Sequence, residues 1–282
     1  MSTGEYWDEE DEWEEESHGS GTQGRFAESA GQGKGKAHSS LALGIVAMAP
    51  LFVAYEYGLA QDPELLRSLS ERAIFRVLSF LPEMEAWLRR GLLAIAIFGG
   101  LILCFRRSVV LVPSLWRILL EGALGAVLFG PILAVCMRLM GGFSGALSRS
   151  AEPASLAEAG RLLGGAAFEE LLFRVALYGA LFVLARRLVS FFGAGELVAR
   201  WSAEVLSVLG SALGFAAFHL SVVSSRIGPG GYDWDPALFT WRALAGVLLA
   251  VIFRWRGPGV AAWSHGLFNL AVLLGAGPEV FL

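Results

Sequence analysis

The sequence predicts an all-α fold: a polytopic transmembrane helical bundle of about seven spans plus an interfacial amphipathic helix. Three observations predict it. The 282-residue chain is 55% hydrophobic with a mean hydropathy of +0.57, more apolar than a soluble domain. Its apolar residues are gathered into long runs, and a helix needs about 20 such residues to cross a bilayer. Glycine- and proline-containing turns and paired arginines punctuate those runs.

The first 40 residues stand apart. They hold ten acidic and three basic side chains, a net of −7, whereas the remainder carries +3. The run Asp8 to Glu16 and the Gly/Ser/Gln-rich sequence after it predict a disordered acidic tail over 1–40, followed by a transmembrane helical domain over 41–282. Trp7 and Trp13 in the acidic run make a docking motif for a basic partner the alternative to a purely solvated tail. Outside the tail every basic residue is Arg, and the only lysines are Lys34 and Lys36. No basic patch is large enough for nucleic acid. The first apolar run begins only at Leu41, so no cleavable signal peptide is expected. Cys104 and Cys136 lie in separate apolar runs without metal-type spacing and read as buried small hydrophobes.

Leu41 to Ala60 is the first span. Asp62-Pro63-Glu64 then reads as an N-cap, a first-turn proline and a first-turn acid. Leu65, Leu66, Leu69, Ala73, Val77 and Leu81 follow at helical spacing with Arg67, Glu71, Arg72 and Arg76 between them, which is the pattern of the interfacial helix. Leu92 to Phe105 is a short second span bracketed by Arg89/Arg90 and Arg106/Arg107, whose side chains can snorkel. Leu115 to Leu139, with Glu121, is the third, and 141–158 is a connector. Leu162 to Ala185 is the fourth; Gly160 and Gly164 at its start suit close helix approach. Val205 to Val223, Ala237 to Phe253, and Val260 to about Leu282 complete the set. Arg106/Arg107, Arg186/Arg187 and Arg254/Arg256 would share one side, which places the N-terminus inside.

Chemistry concentrates in Phe168-Glu169-Glu170-Leu171-Leu172-Phe173-Arg174, within the fourth span. Each ionisable residue there costs about 2.5–3.5 kcal/mol on insertion scales, so it should face an interior and mark function. Glu170 and Arg174 are four apart and can pair. Glu169 points about 100° away and is left for another partner. The alternative is a structural ion pair with Glu169 snorkelling. Of four histidines, His18 and His38 fall in the tail, and His219 and His265 fall in the fifth and seventh spans. Asn269, the only asparagine, is one helical turn after His265, and Phe215 one turn before His219. Such polar groups should converge on one interior cavity.

That inventory suits peptide-bond hydrolysis. A Glu beside a His can activate a shared water, and a second His with an Asn can donate to the oxyanion. Glu169, His219 and His265 are also a feasible zinc set, with water as fourth ligand, although no H-E-x-x-H helix is present. Two other classes stay open: a non-catalytic membrane immunity or binding module, and a proton-coupled transporter using Glu169 or Glu121, for which no internal repeat is found.

Glu169-Glu170-x-x-x-Arg174, Phe215-x-x-x-His219 and His265-x-x-x-Asn269, in this order on separate spans, resemble the three motifs of the CPBP family, the CAAX-protease and bacteriocin-processing (ABI) intramembrane endopeptidases. The resemblance covers roughly 115–280, which it marks as the catalytic core. It implies a glutamate-dependent protease in which Glu169 and His219 activate water, His265 and Asn269 form the oxyanion site, and Glu170 and Arg174 brace the motif, with Phe215 in support. It leaves a divalent metal such as zinc as an alternative. The partners it implies are membrane lipid and a protein or peptide substrate entering laterally. The family's bacteriocin-processing and sorting-tag-cutting members suit a bacterial source and its cell membrane, and an Ala/Gly/Arg-rich, Lys-poor composition suggests a GC-rich genome.

Overall fold

The computed structural model describes residues 21–62, 66–81, 83–139 and 155–274, with side chains from residue 41 onward except at 134 and 137–139. Regular structure among these residues is helical, apart from a single bridge between Leu220 and Tyr232. The acidic run, Trp7, Trp13 and the 141–154 connector lie outside the described residues. The compact body is Ser39–Leu282.

Helix α1 is Gly21–Gln61. Its backbone is therefore helical over 21–40, where the composition predicts disorder, and its apolar part is Leu41–Gln61. After the short α2, Leu69–Ile74, come α3 (Glu85–Arg106), α4 (Leu111–Leu139) and α5 (Leu156–Glu170). A π-helical stretch, Leu171–Tyr178, runs from α5 straight into α6 (Gly179–Phe191). The chain then forms α7 (Glu196–Phe218), a single turn α8 (Ser221–Ser224), α9 (Pro236–Arg256) and α10 (Pro258–Leu273).

Five helices are long and apolar enough to cross a membrane: the apolar part of α1, α3, α4 over Leu111–Leu133, α7 and α9. The expected fourth and seventh spans are helical too. The fourth is interrupted by the π stretch, and the seventh has 16 residues in α10. Both carry motif residues, and α10 packs against α4, α5 and α9. A helix that lies against other helices can carry polar groups that lipid would not tolerate. The outward faces of α3, α4 and α7 instead expose large apolar residues such as Ile95, Phe98, Phe105, Val127, Leu128 and Leu213. That is the surface of an integral, multi-pass membrane protein.

The segment after α1 departs from expectation. The Asp62 N–H donates to the Gly58 carbonyl and closes α1, and Pro63 and Glu64 of the expected cap lie outside the described residues. Ser68 is the cap, accepting from the Glu71 N–H at 3.2 Å. The predicted single interfacial helix is two pieces, α2 and a 3₁₀ turn at Arg76–Phe80, and α2 packs on α5. The reason is Glu71. It is only 1% exposed, accepts from the Tyr55 hydroxyl, and pairs with Arg67 and Arg89 at 2.9 Å each. A carboxylate with two donors and a second guanidinium in ion-pair contact is stable in the interior, whereas an unpaired one is not. Arg89, expected to snorkel, is likewise 1% exposed and reaches Glu56 at 3.1 Å.

Close helix approach occurs where the sequence expects it. A methyl group at Gly160 would overlap Ala54, and one at Gly164 would overlap Tyr55, so α5 and α1 cross with backbones in contact. Gly246 on α9 faces Ala212 on α7 in the same way. These crossings bring α5, α7, α9 and α10 around the motif residues.

Candidate active site

Phe168 anchors the first motif. It is fully buried, with ring centroids 4.9 Å from Phe52, 5.2 Å from Tyr55 and 6.2 Å from Phe75. Segments preceding the motif thus grip the residue next to Glu169. Glu170 ends α5, and the π-helical stretch starts immediately after it. Such stretches occur mostly as insertions within α-helices and often at functional sites.

Glu170 and Arg174 pair as their spacing predicts, Nε to Oε2 at 3.2 Å, with both side chains 0% exposed. The contact is ionic without hydrogen-bond alignment, and Arg174 Nη1 has no hydrogen-bond partner among the described residues. Arg174 is held further by the Gly246 carbonyl, to which Nη2 donates at 3.3 Å, and by the Phe215 ring 4.9 Å from its guanidinium carbon. Glu170 also meets His265: Oε1 lies 2.9 Å from Nδ1. Glu170 thus joins the first motif to the third.

Glu169 sits between the two histidines. Its Oε1 is 3.7 Å from His219 Nε2 and its Oε2 is 3.5 Å from His265 Nε2. These separations exceed a hydrogen bond. The far nitrogen of each ring is committed elsewhere: His219 Nδ1 lies 2.8 Å from the Phe215 carbonyl, and His265 Nδ1 lies at Glu170. Phe215 stands between the rings, its centroid 4.9 Å from His219 and 5.8 Å from His265. Glu169 and His219 keep 18% and 19% side-chain exposure, while Glu170 and Arg174 are sealed off.

His219 is not inside a span. Helix α7 ends at Phe218, and His219 is its C-cap. The chain then folds back: Tyr232 N–H donates to the His219 carbonyl at 2.9 Å, and Ser221 N–H donates to the Tyr232 carbonyl at 2.8 Å. Gly231, with φ of 94°, makes that return. Asn269 lies one turn after His265 on α10, half-buried, and its side chain makes no hydrogen bond among the described residues. Four of the five polar motif positions therefore meet, together with Arg174, and Asn269 is the one whose side chain has no hydrogen-bond partner among the described residues.

The alternative roles do not gather here. Glu121 is held by Arg117 at 2.7 Å and by Arg256, whose Nε is 2.8 Å away. Among the described residues no group of three or more His, Cys, Asp or Glu side chains is disposed to hold a metal ion. The zinc set of Glu169, His219 and His265 is thus not supported, and no step below runs through a metal. The sequence reading passed over Arg242 and Tyr232. Arg242 lies within an apolar run, one turn before Gly246, and its charge and that of Glu169 act on one another. An arginine in a span was the available signal.

Carboxylates, histidines and an arginine are thus gathered in the interior of a helical membrane bundle. Residues 156–271 match the model of the family described as type II CAAX prenyl endopeptidase Rce1-like, a CPBP family of intramembrane peptidases. The match spans all three motifs. Comparison with curated proteins found no match, and comparison with solved structures found none.

Proposed function

We propose that the protein is a glutamate-dependent intramembrane endopeptidase that hydrolyses a peptide bond near the C-terminus or in a membrane segment of a protein substrate, with water activated by Glu169 and His219. The observation that supports this is Glu169 standing 3.7 Å from one imidazole and 3.5 Å from another, each ring fixed through its far nitrogen.

A carbonyl oxygen only accepts, so His219 Nδ1 carries the proton toward Phe215 and its Nε2 presents a lone pair toward Glu169. A water between them donates one O–H to each. As its oxygen attacks the substrate carbonyl carbon, Glu169 takes a proton and the carbonyl electron pair moves onto oxygen. His265, with both ring nitrogens protonated and Nδ1 on Glu170, donates from Nε2 to that oxyanion, and Asn269 donates beside it. One such donor is worth about 2.7–4 kcal/mol. Collapse breaks the C–N bond, and the proton passes to the leaving amine.

Substrate reaches the site laterally from lipid, and the host membrane is the bacterial cell membrane. Glu169→Ala and His219→Ala should each lower cleavage by at least about a hundredfold without changing thermal unfolding. Cleavage that survives both removes the reading. A chelator should leave the rate unchanged, and restoration of a lost rate by added zinc would reinstate the metal. A cellular phenotype that survives Glu169→Gln would mark a binding or immunity module instead.

A further inference from the structure

Eight residues of π-helix join α5 to α6. Such winding is rare and is seen mostly as a single inserted turn within an α-helix, so tertiary contacts must hold it. Those contacts come from two helices. On α7, Phe215 and Phe218 meet the Phe173 ring edge-on at 5.4 and 5.2 Å, and Leu177 packs onto Gly214, where a methyl group would overlap it. On α9, the Gly246 carbonyl accepts from Arg174. This end of the stretch serves the catalytic groups, since Phe218 precedes His219 and Arg174 pairs with Glu170.

The far end is closed by groups that the hydrolytic steps leave unused. Tyr178, the last residue of the stretch, is 5% exposed. Its hydroxyl donates to Glu204 Oε2 on α7, and Arg254 Nε on α9 donates to Glu204 Oε1 at 2.6 Å. The Tyr178 ring also packs edge-on against Phe253, 5.3 Å between centroids. Glu204 is a carboxylate within a membrane-spanning helix, an expensive placement that marks function. Both of its oxygens are used, one by the π stretch and one by α9. Helices α7 and α9 therefore hold the stretch twice, at Arg174 through the Phe215 ring and the Gly246 carbonyl, and at Tyr178 through Glu204 and Arg254.

The winding sets the pair at the catalytic end. Glu170 Oε2 and Arg174 Nε stand 3.2 Å apart, yet neither atom is in a hydrogen bond among the described residues. A π hydrogen bond spans five residues where an α bond spans four, so Arg174 leaves the two windings at different angles. Rewinding to α would swing Arg174 away from the Gly246 carbonyl and turn Tyr178 away from Glu204. We propose that Tyr178, Glu204 and Arg254 form a clasp that keeps Leu171–Tyr178 in its π winding and so aims Arg174 at Glu170. They are positioning residues for hydrolysis, acting through Arg174 without touching substrate. This rests on the proteolytic reading above.

The test uses the full chain in liposomes with a prenylated CAAX peptide carrying a fluorophore and a quencher, and amide hydrogen exchange of the same variants in detergent. Tyr178→Phe removes one oxygen and keeps the ring. It should lower kcat about tenfold and keep KM within about twofold of wild type. Exchange over 171–178 should quicken, while α10 and thermal unfolding stay as they are. Glu204→Ala should match it, and the double variant should lose no more than either, because the residues act as one unit. Arg254→Lys, which keeps the charge, should hold most of the rate, and Arg254→Gln should not. In an Arg174→Lys background, Tyr178→Phe should have no further effect on kcat. Unchanged kcat and exchange in Tyr178→Phe overturn the proposal. So does a rise in KM at constant kcat, which would put Tyr178 against substrate, and so does a full further loss in the Arg174→Lys background. If Tyr178→Phe does not fold, Arg254→Lys and Arg254→Gln decide by the same readouts. If wild type cuts no peptide, the proteolytic reading fails for this substrate and exchange alone decides: loosening confined to 171–178 in Tyr178→Phe supports the clasp, and unchanged or uniformly raised exchange overturns it.

Discussion

Glu170 holds two partners of different character, a guanidinium at 3.2 Å and an imidazole at 2.9 Å. Its charge is buried completely, so its neighbours cannot be removed singly at low cost. Arg174→Ala should destabilise the fold by about 3–5 kcal/mol, because it leaves a sealed carboxylate without its cation. Thermal unfolding in detergent measures this, and a variant as stable as wild type would show that His265 alone suffices. The pairing of Glu170 with Arg174 was legible because four residues make one helical turn. The bond from Glu170 to His265 was not, since 95 residues separate them. Nor was the lack of a hydrogen-bond partner for the Asn269 side chain among the described residues, because a shared helical face says nothing about which neighbour stands opposite.

Helix ends and crossings are where elements carry the site. Ser155 and Glu158 form a reciprocal cap that starts α5 at Leu156, six residues before the first apolar residue of the expected span. The Ser-x-x-Glu pattern is the local signal for this start, inside the expected 141–158 connector. Helix α7 stops at His219 although apolar residues continue to Val223, because the backbone pairing with Tyr232 competes successfully with another helical turn. The crossing of α1 over α5 depends on Gly160 and Gly164 having no side chain. Gly164→Val should push Tyr55 off α5 and cost about 1–3 kcal/mol by overpacking, with cleavage falling as Phe168 loses its aromatic support. A variant with wild-type melting and activity would show that the two helices separate without consequence.

Across the molecule, the family match begins at residue 156, yet the motif rests on what comes before it. Glu71, Arg89, Arg67 and Tyr55 form a buried charged network, and Tyr55 touches both that network and Phe168. Arg72 and Arg76 extend the same bracket to the loop after His219, donating to the Pro229 and Arg226 carbonyls. Glu71→Gln should therefore lower stability by about 3 kcal/mol and reduce kcat with little change in KM. Unaltered kcat would show that the N-terminal helices shelter the core without positioning it. The sequence by itself determined the membrane class, the helical elements and the three motifs, because burial in lipid leaves the backbone only local hydrogen bonds, and local spacing is written in the chain. Only the tertiary structure decided that Glu71 and Arg89 are interior and that Glu170 links two motifs. Those outcomes depend on which charges from distant segments meet in a medium that cannot solvate them, and no local pattern encodes that meeting.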